Sequence, residues 1–164
     1  MNISLREITP ENFAAVINLD VAEDQKLFVA PNVKSIAQAY IHPDSVPLAV
    51  YNGDDELVGF VMYGYDPDDE KYYLGRLMID ANYQGKGYGK AATLEVVRRM
   101  SEIEDCQAIY LSFVPENTGA ERLYSSVGFE RTGKLNRNEI VMRFKIQDSR
   151  FGIRDFLSIL NFES

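Results

Sequence analysis

The run Gln84-Gly85-Lys86-Gly87-Tyr88-Gly89-Lys90 places three glycines in five positions, just ahead of a segment with helical spacing. Glycine lets a backbone approach a ligand closely, and the start of a helix offers unpaired N–H groups at the positive end of its dipole. The chemistry this predicts is the binding of a phosphate-bearing ligand. Lys86 and Lys90 can add charge at the phosphates, or they can be ordinary solvated lysines at a helix start. A nucleoside triphosphate loop is excluded by residue type, since it needs Gly where Gln84 stands and Ser or Thr where Ala91 follows Lys90. A dinucleotide loop fits poorly: Gly87-x-Gly89-x-x-Ala92 should lead to an acid that ends the next strand, whereas Asp105 precedes that strand. A turn without any ligand is the plain alternative.

Other reactive groups are sparse. His42, before Pro43 in an expected loop, reads as a surface residue, and the lone Cys106 follows Glu104-Asp105, whose charges would raise its pKa. No Ser-His-Asp set and no metal-ligand set is expected. The 164 residues carry 25 acidic and 17 basic side chains, a net charge of −8. Such a chain repels nucleic acid and draws cationic partners. With 46% hydrophobic residues, a domain of this size can bury roughly 70% of its unfolded surface without metal or disulfide. The unpaired cysteine, and an opening without a cationic start and apolar run, fit a cytoplasmic setting. No apolar stretch approaches the ~18 residues of a membrane span.

The elements that must position the glycine loop follow from the apolar pattern. Strands are expected at 3–8, 46–51, 56–65, 71–80, 108–114, 129–132 and 139–146. Asn52-Gly53-Asp54-Asp55 should close a hairpin between the second and third of these. Helices are expected from Thr9-Pro10-Glu11, through Ile36, Ala39 and Tyr40, from about Lys90 along Ala92, Val96, Met100 and Ile103, and over 117–127 with Gly128 as a left-handed cap. The fold class is α+β, a mixed central sheet flanked by helices. Ile153, Phe156, Leu157 and Leu160 repeat at i, i+3, i+4 and i+7, which predicts a C-terminal helical extension over 148–164. Its apolar face would dock on its own domain or on a second subunit, so a homodimer is a candidate assembly.

Gln84-Gly85-Lys86-Gly87-Tyr88-Gly89 resembles the Gln/Arg-x-x-Gly-x-Gly/Ala acetyl-coenzyme A signature of the GNAT N-acetyltransferases. Asn117-Thr118-Gly119-Ala120-Glu121-Arg122-Leu123-Tyr124-Ser125-Ser126-Val127-Gly128-Phe129 is similar to the same superfamily's Asn-x-x-Ala-x-x-x-Tyr-x-x-x-Gly-Phe segment. The resemblance covers roughly residues 1–146 and implies a GNAT domain over 1–147. Phe28-Val29-Ala30-Pro31-Asn32 and Arg76-Leu77-Met78-Ile79-Asp80 look like the bacterial spermine/spermidine acetyltransferase branch. The implied reaction is direct attack of a primary amine, a polyamine such as spermidine or spermine, on acetyl-CoA in a ternary complex. The implied roles are as follows. Amides of Gln84, Gly85, Lys86, Gly87, Tyr88 and Gly89 would bind the pyrophosphate, with charge from Lys86 and Lys90, and backbone of Leu77, Met78 and Ile79 would hold the pantetheine and polarise the thioester. Asn117 would hydrogen-bond the cosubstrate or cap its helix, and Tyr124 would protonate the leaving thiolate or serve only as a packed ring. A glutamate of related polyamine enzymes is replaced at Gly75 or Arg76, so a water chain ending on Glu23, Asp24 or Glu116 is the candidate route for the amine's proton. Two other readings are a protein or peptide N-acetyltransferase and a non-catalytic acyl-CoA-binding domain.

Overall fold

The computed structural model describes residues 1–146, so the helix expected over 148–164 lies outside the described residues. Seven strands make one sheet: β1 Ile3–Glu7, β2 Ser45–Asn52, β3 Leu57–Asp66, β4 Lys71–Ile79, β5 Ala108–Phe113, β6 Glu130–Asn136 and β7 Glu139–Lys145. Their order across the sheet is β1-β2-β3-β4-β5-β7-β6. Every neighbouring pair is antiparallel except β4 and β5, which run parallel. The helices are α1 Phe13–Ile17, α2 Asn32–Ile41, α3 Tyr88–Ser101 and α4 Thr118–Val127. The expected α+β class and mixed sheet are what the chain adopts.

Burial explains why these segments become strands. In β5 the side chains of Ile109, Leu111 and Phe113 are buried while Tyr110 and Ser112 are half-buried, and Ile140, Met142 and Phe144 repeat that alternation in β7. In β3 the run from Val58 to Met62 is buried throughout, because helices cover both faces there. One core gathers Val50, Val61, Val96, Met100, Leu111 and Phe129 on the face that α3 covers. A smaller one joins Val16, Phe60, Met62 and Met78 beneath α1 and α2.

The helix ends depart from expectation in one place. Regular helix begins at Phe13, not at Thr9, because the Asn12 side chain turns back to accept from the Thr9 amide at 2.8 Å and closes a separate turn ahead of it. Asn117 caps α4, accepting from the Ala120 amide at 3.1 Å, and Gly128 ends it at φ 114° as expected. Tyr40, one of the apolar residues that mark α2 in the sequence, is 88% exposed.

Two irregularities shape what lies at the centre. Met62 pairs with Arg76 and Tyr63 with Leu74, which leaves Gly75 as an extra residue, a β-bulge in β4. On its other edge β4 pairs with β5 only at Tyr72 with Ile109 and Tyr73 with Tyr110. Beyond those two pairs the parallel strands separate, and the outer edge of β4 from Leu74 to Ile79 has no strand partner among the described residues.

Candidate active site

Where β4 and β5 part, a cavity of about 970 Å³ opens through the middle of the sheet. Leu74 to Leu77 form one wall and Tyr110 to Val114 the other; Asn117, Ala120 and Tyr124 of α4 close it behind, and Leu27 to Ala30 reach over it from the loop before α2. The floor is the face of β6 and β7 that no described helix covers, including Glu139 and Arg143.

Tyr124 is set by its own helix. Its ring packs against Phe113 and Phe129, with centroids 6.4 and 5.7 Å away, and its carbonyl accepts from the amides of Gly128 and Phe129 that terminate α4. No described group hydrogen-bonds its hydroxyl, which is therefore free to serve a ligand. Burial among apolar rings holds the phenol protonated well above its ordinary range, since the charged form would lie in low dielectric. Asn117 both caps α4 and lines the cavity, so its two sequence readings coexist.

The glycine loop lies beside the cavity and is absent from its walls. Gly85 takes φ +75° and Gly87, the residue before α3, takes φ +88°. A Cβ on Gly85 would meet nothing within 4 Å, which leaves that backbone open to a ligand. The amides of Tyr88, Gly89 and Lys90 lie in the first turn and have no acceptor within the helix. The Gln84 side chain is committed inside the protein: its Nε2 donates to the Ile79 carbonyl at 2.9 Å and to Gln25 Oε1 at 2.8 Å. Gln84 thereby ties the loop to the end of β4, and only its backbone can face a phosphate. The Lys86 ammonium lies 5.4 Å from the Tyr83 ring centre. Of the three strand residues, Leu77 lines the cavity, Met78 is buried beneath α2, and the Ile79 carbonyl is occupied by Gln84.

The predicted acidic residues lie elsewhere. Glu23 and Asp24 are exposed on a single 3-10 turn, Glu23 bridged to Lys26 at 2.6 Å, and Glu116 is exposed after β5. None of the three is among the cavity walls. The carboxylates that are there, Asp66, Asp69 and Glu139, went unnoticed in the sequence. Asp69 accepts from the Tyr73 hydroxyl and bridges Lys71 at 2.9 Å, and those bonds hold it ionised below the usual carboxylate range. Asp66 accepts from the Asp68 amide at 2.9 Å. Glu139 accepts from the Ser112 hydroxyl, and no described cation pairs with it. The available signals are the acidic run Asp66-Pro67-Asp68-Asp69-Glu70 between two strands and the polar Ser112 within an alternating apolar strand. Cys106 is buried and its thiol is pushed up to about 11, chiefly by that burial and not by its acidic neighbours.

Arg76, on the bulged stretch of β4, donates to the Gly75 carbonyl at 2.7 Å and to Gln38 Oε1 of α2 at 3.3 Å. Among the described residues its positive charge meets only neutral acceptors. Of the two positions, Gly75 and Arg76, at which the resemblance implies a replaced glutamate, one is bare backbone and the other carries a cation. Among the described residues no group of three or more His, Cys, Asp and Glu side chains could hold a metal ion, and no helix is long and apolar enough to cross a membrane.

A parallel strand pair parts beside a glycine turn at the head of a helix, with the Tyr124 phenol in the gap, and this is the arrangement the family resemblance implies. The model of the Acetyltransferase (GNAT) family matches residues 10–129. Spermine/spermidine N(1)-acetyltransferase of Bacillus subtilis strain 168 is 35% identical over 144 residues, 84% of this chain and 94% of that protein. Among solved structures, spermidine N-acetyltransferase from Vibrio cholerae in complex with CoA and spermine superposes with a TM-score of 0.68 at 20% identity, covering 86% of this chain and 92% of that one. An aminoglycoside acetyltransferase in complex with coenzyme A superposes with a TM-score of 0.72 at 16% identity, covering 88% and 95%. The chain belongs to the GNAT family of acetyltransferases, enzymes that take the acetyl group from acetyl-coenzyme A.

Proposed function

We propose that the protein transfers the acetyl group of acetyl-CoA directly to a primary amine of a polyamine, spermidine or spermine. The observation that carries this reading is the cavity between the parted strands, into which Tyr124 presents an unpartnered phenol. The likeness to a B. subtilis spermine/spermidine acetyltransferase along nearly its whole length supports the choice of amine.

The residues fit the cosubstrate, which would supply an activated thioester. Open backbone at Gly85 and the first-turn amides of α3 would receive the pyrophosphate, with the Met1 side chain standing 3.4 Å from where a Cβ on Gly87 would lie. The unpaired edge of β4 around Leu77 would run alongside the pantetheine, and N–H groups fixed there in advance would stabilise the developing oxyanion, a contribution of ~3 kcal/mol per donor. Tyr124 would donate its proton to the departing sulfur, and burial keeps that proton in place until it is needed. An ammonium must lose a proton before it can attack, since a primary amine has a reference pKa of ~10.4. Glu139 is suited to accept it through cavity water. Asp69 is held by Lys71 and Tyr73 and Asp66 by a backbone amide, whereas Glu139 meets only a hydroxyl.

The test is release of free thiol from acetyl-CoA against a panel of polyamines, simple alkylamines, aminoglycosides and peptides. Spermidine or spermine should give the highest kcat/KM. A peptide or aminoglycoside that outperforms both polyamines would overturn the reading.

A further inference from the structure

A second groove of about 390 Å³ opens beside the main cavity, between the head of β2 and the turn that joins β3 to β4. Asp66, Tyr73 and Gly75 belong to the walls of both. At Gly75 that shared wall is bare backbone: a Cβ there would meet only the Met62 carbonyl oxygen, at 3.6 Å. The bulge at Gly75 therefore lowers the barrier between the two spaces.

The groove differs from the cavity in chemistry. Its walls include Tyr63, Tyr65 and Tyr73, with Tyr65 held against Tyr72 at 5.0 Å between ring centres. Aromatic faces of this kind accommodate methylene chains and attract cations. Its carboxylates are Asp44, Asp66 and Asp68, and among the described residues its wall contains no Lys or Arg. The side chains of Asp44 and Asp68 make no ion pair or hydrogen bond with any described residue. The main cavity, in contrast, sets Lys71, Arg76, Lys134 and Arg143 beside Asp66, Asp69 and Glu139. A polycation can place one end in the cavity, but its remaining charges are better accommodated among the tyrosines and aspartates next door.

We propose that this groove is the subsite for the far ammonium groups of the polyamine, with the connecting methylenes crossing Gly75 from the amine that reacts. The proposal rests on the polyamine reading above and names the residues that would distinguish a polyamine from a simple amine. It places the acidic groups that meet the polycation at Asp44 and Asp68, and Glu23 and Asp24 lie outside the groove.

The experiment compares spermine with n-butylamine as acceptor in the wild type, in the double variant Asp44→Asn/Asp68→Asn, and in Tyr65→Leu. The first removes only charge from exposed positions, and the second keeps an apolar contact on Tyr72 while losing the ring face. Circular dichroism and thermal melting check the fold. Each variant should lower kcat/KM for spermine by about tenfold, mainly through KM, and leave butylamine within about twofold. The double variant should also lose most of the salt dependence seen with spermine. Unchanged spermine kinetics, or equal losses with spermine and butylamine, would overturn the subsite alone. A wild-type enzyme that acetylates butylamine but no polyamine would overturn the proposed acceptor, and the subsite with it.

Discussion

Tyr124 and Glu139 divide the proton traffic of the proposed reaction, and each makes a separable prediction. Tyr124→Phe keeps the ring between Phe113 and Phe129 and removes only the donor. Turnover should fall by about a hundredfold while acetyl-CoA affinity, read by calorimetry, stays within about twofold. Because burial raises the phenol's pKa, the acid form persists to higher pH. Any alkaline loss of rate due to Tyr124 should therefore lie above the ordinary phenol value of ~10 and vanish in the Phe variant. Glu139→Gln removes a proton acceptor while leaving an oxygen for Ser112. Its kcat/KM should fall by about tenfold near neutral pH and recover as pH approaches the amine's own pKa, where the acceptor arrives deprotonated. A uniform loss across pH would make Glu139 a structural partner of Ser112. Tyr124 and the glycine loop were legible in the sequence because both carry fixed spacings within one segment. Ser112 and Glu139 were not, because 27 residues separate them and only the antiparallel pairing of β5 with β7 brings them together.

At the scale of the element, α3 links the loop to the sheet. Glu95 bridges Arg98 at 2.8 Å and Arg99 at 2.9 Å, and Arg99 in turn donates to the Leu5 carbonyl of β1. Those bonds hold the Glu95 carboxyl below its usual range. A depressed folded-state pKa contributes stability that is present above the unfolded value of ~4.3 and lost as pH falls through the folded one. Glu95→Gln should cost about 1 kcal/mol at pH 7, and the cost should shrink steadily as pH falls below the unfolded value of ~4.3, as read from urea melts over a pH series. Gly85→Val tests the loop, since nothing stands within 4 Å of the added Cβ yet φ is +75°. The protein should stay folded and lose at least about tenfold in acetyl-CoA affinity. Unchanged affinity in the folded variant would remove Gly85 from the site. Strand and helix order were readable from alternation and helical spacing, because β5, β7 and α3 each bury one regular set of side chains. The bulge at Gly75 was not, since it is defined by register against β3, and no local pattern announces an extra residue.

The molecule as a whole is a sheet joined across its middle by two residue pairs, Tyr72 with Ile109 and Tyr73 with Tyr110, with α3 packed on β4 and α4 packed on α3. A ligand lodged along the free edge of β4 would supply contacts that protein strands supply elsewhere, and binding to the folded state alone raises stability by mass action. Coenzyme A at a hundred times its Kd should add about 2.7 kcal/mol and raise the melting temperature by roughly 5–10 °C, with Leu77 and its neighbours showing the largest gain in amide protection. A smaller shift spread evenly over the protein would mean that the ligand binds somewhere other than the parting. The same construction has a mechanical consequence. Pulled across its strands, the molecule should tear first between β4 and β5, releasing β1 to β4 and β5 to β7 as two blocks, and the cosubstrate would act as a rivet that raises the force at which the tear begins.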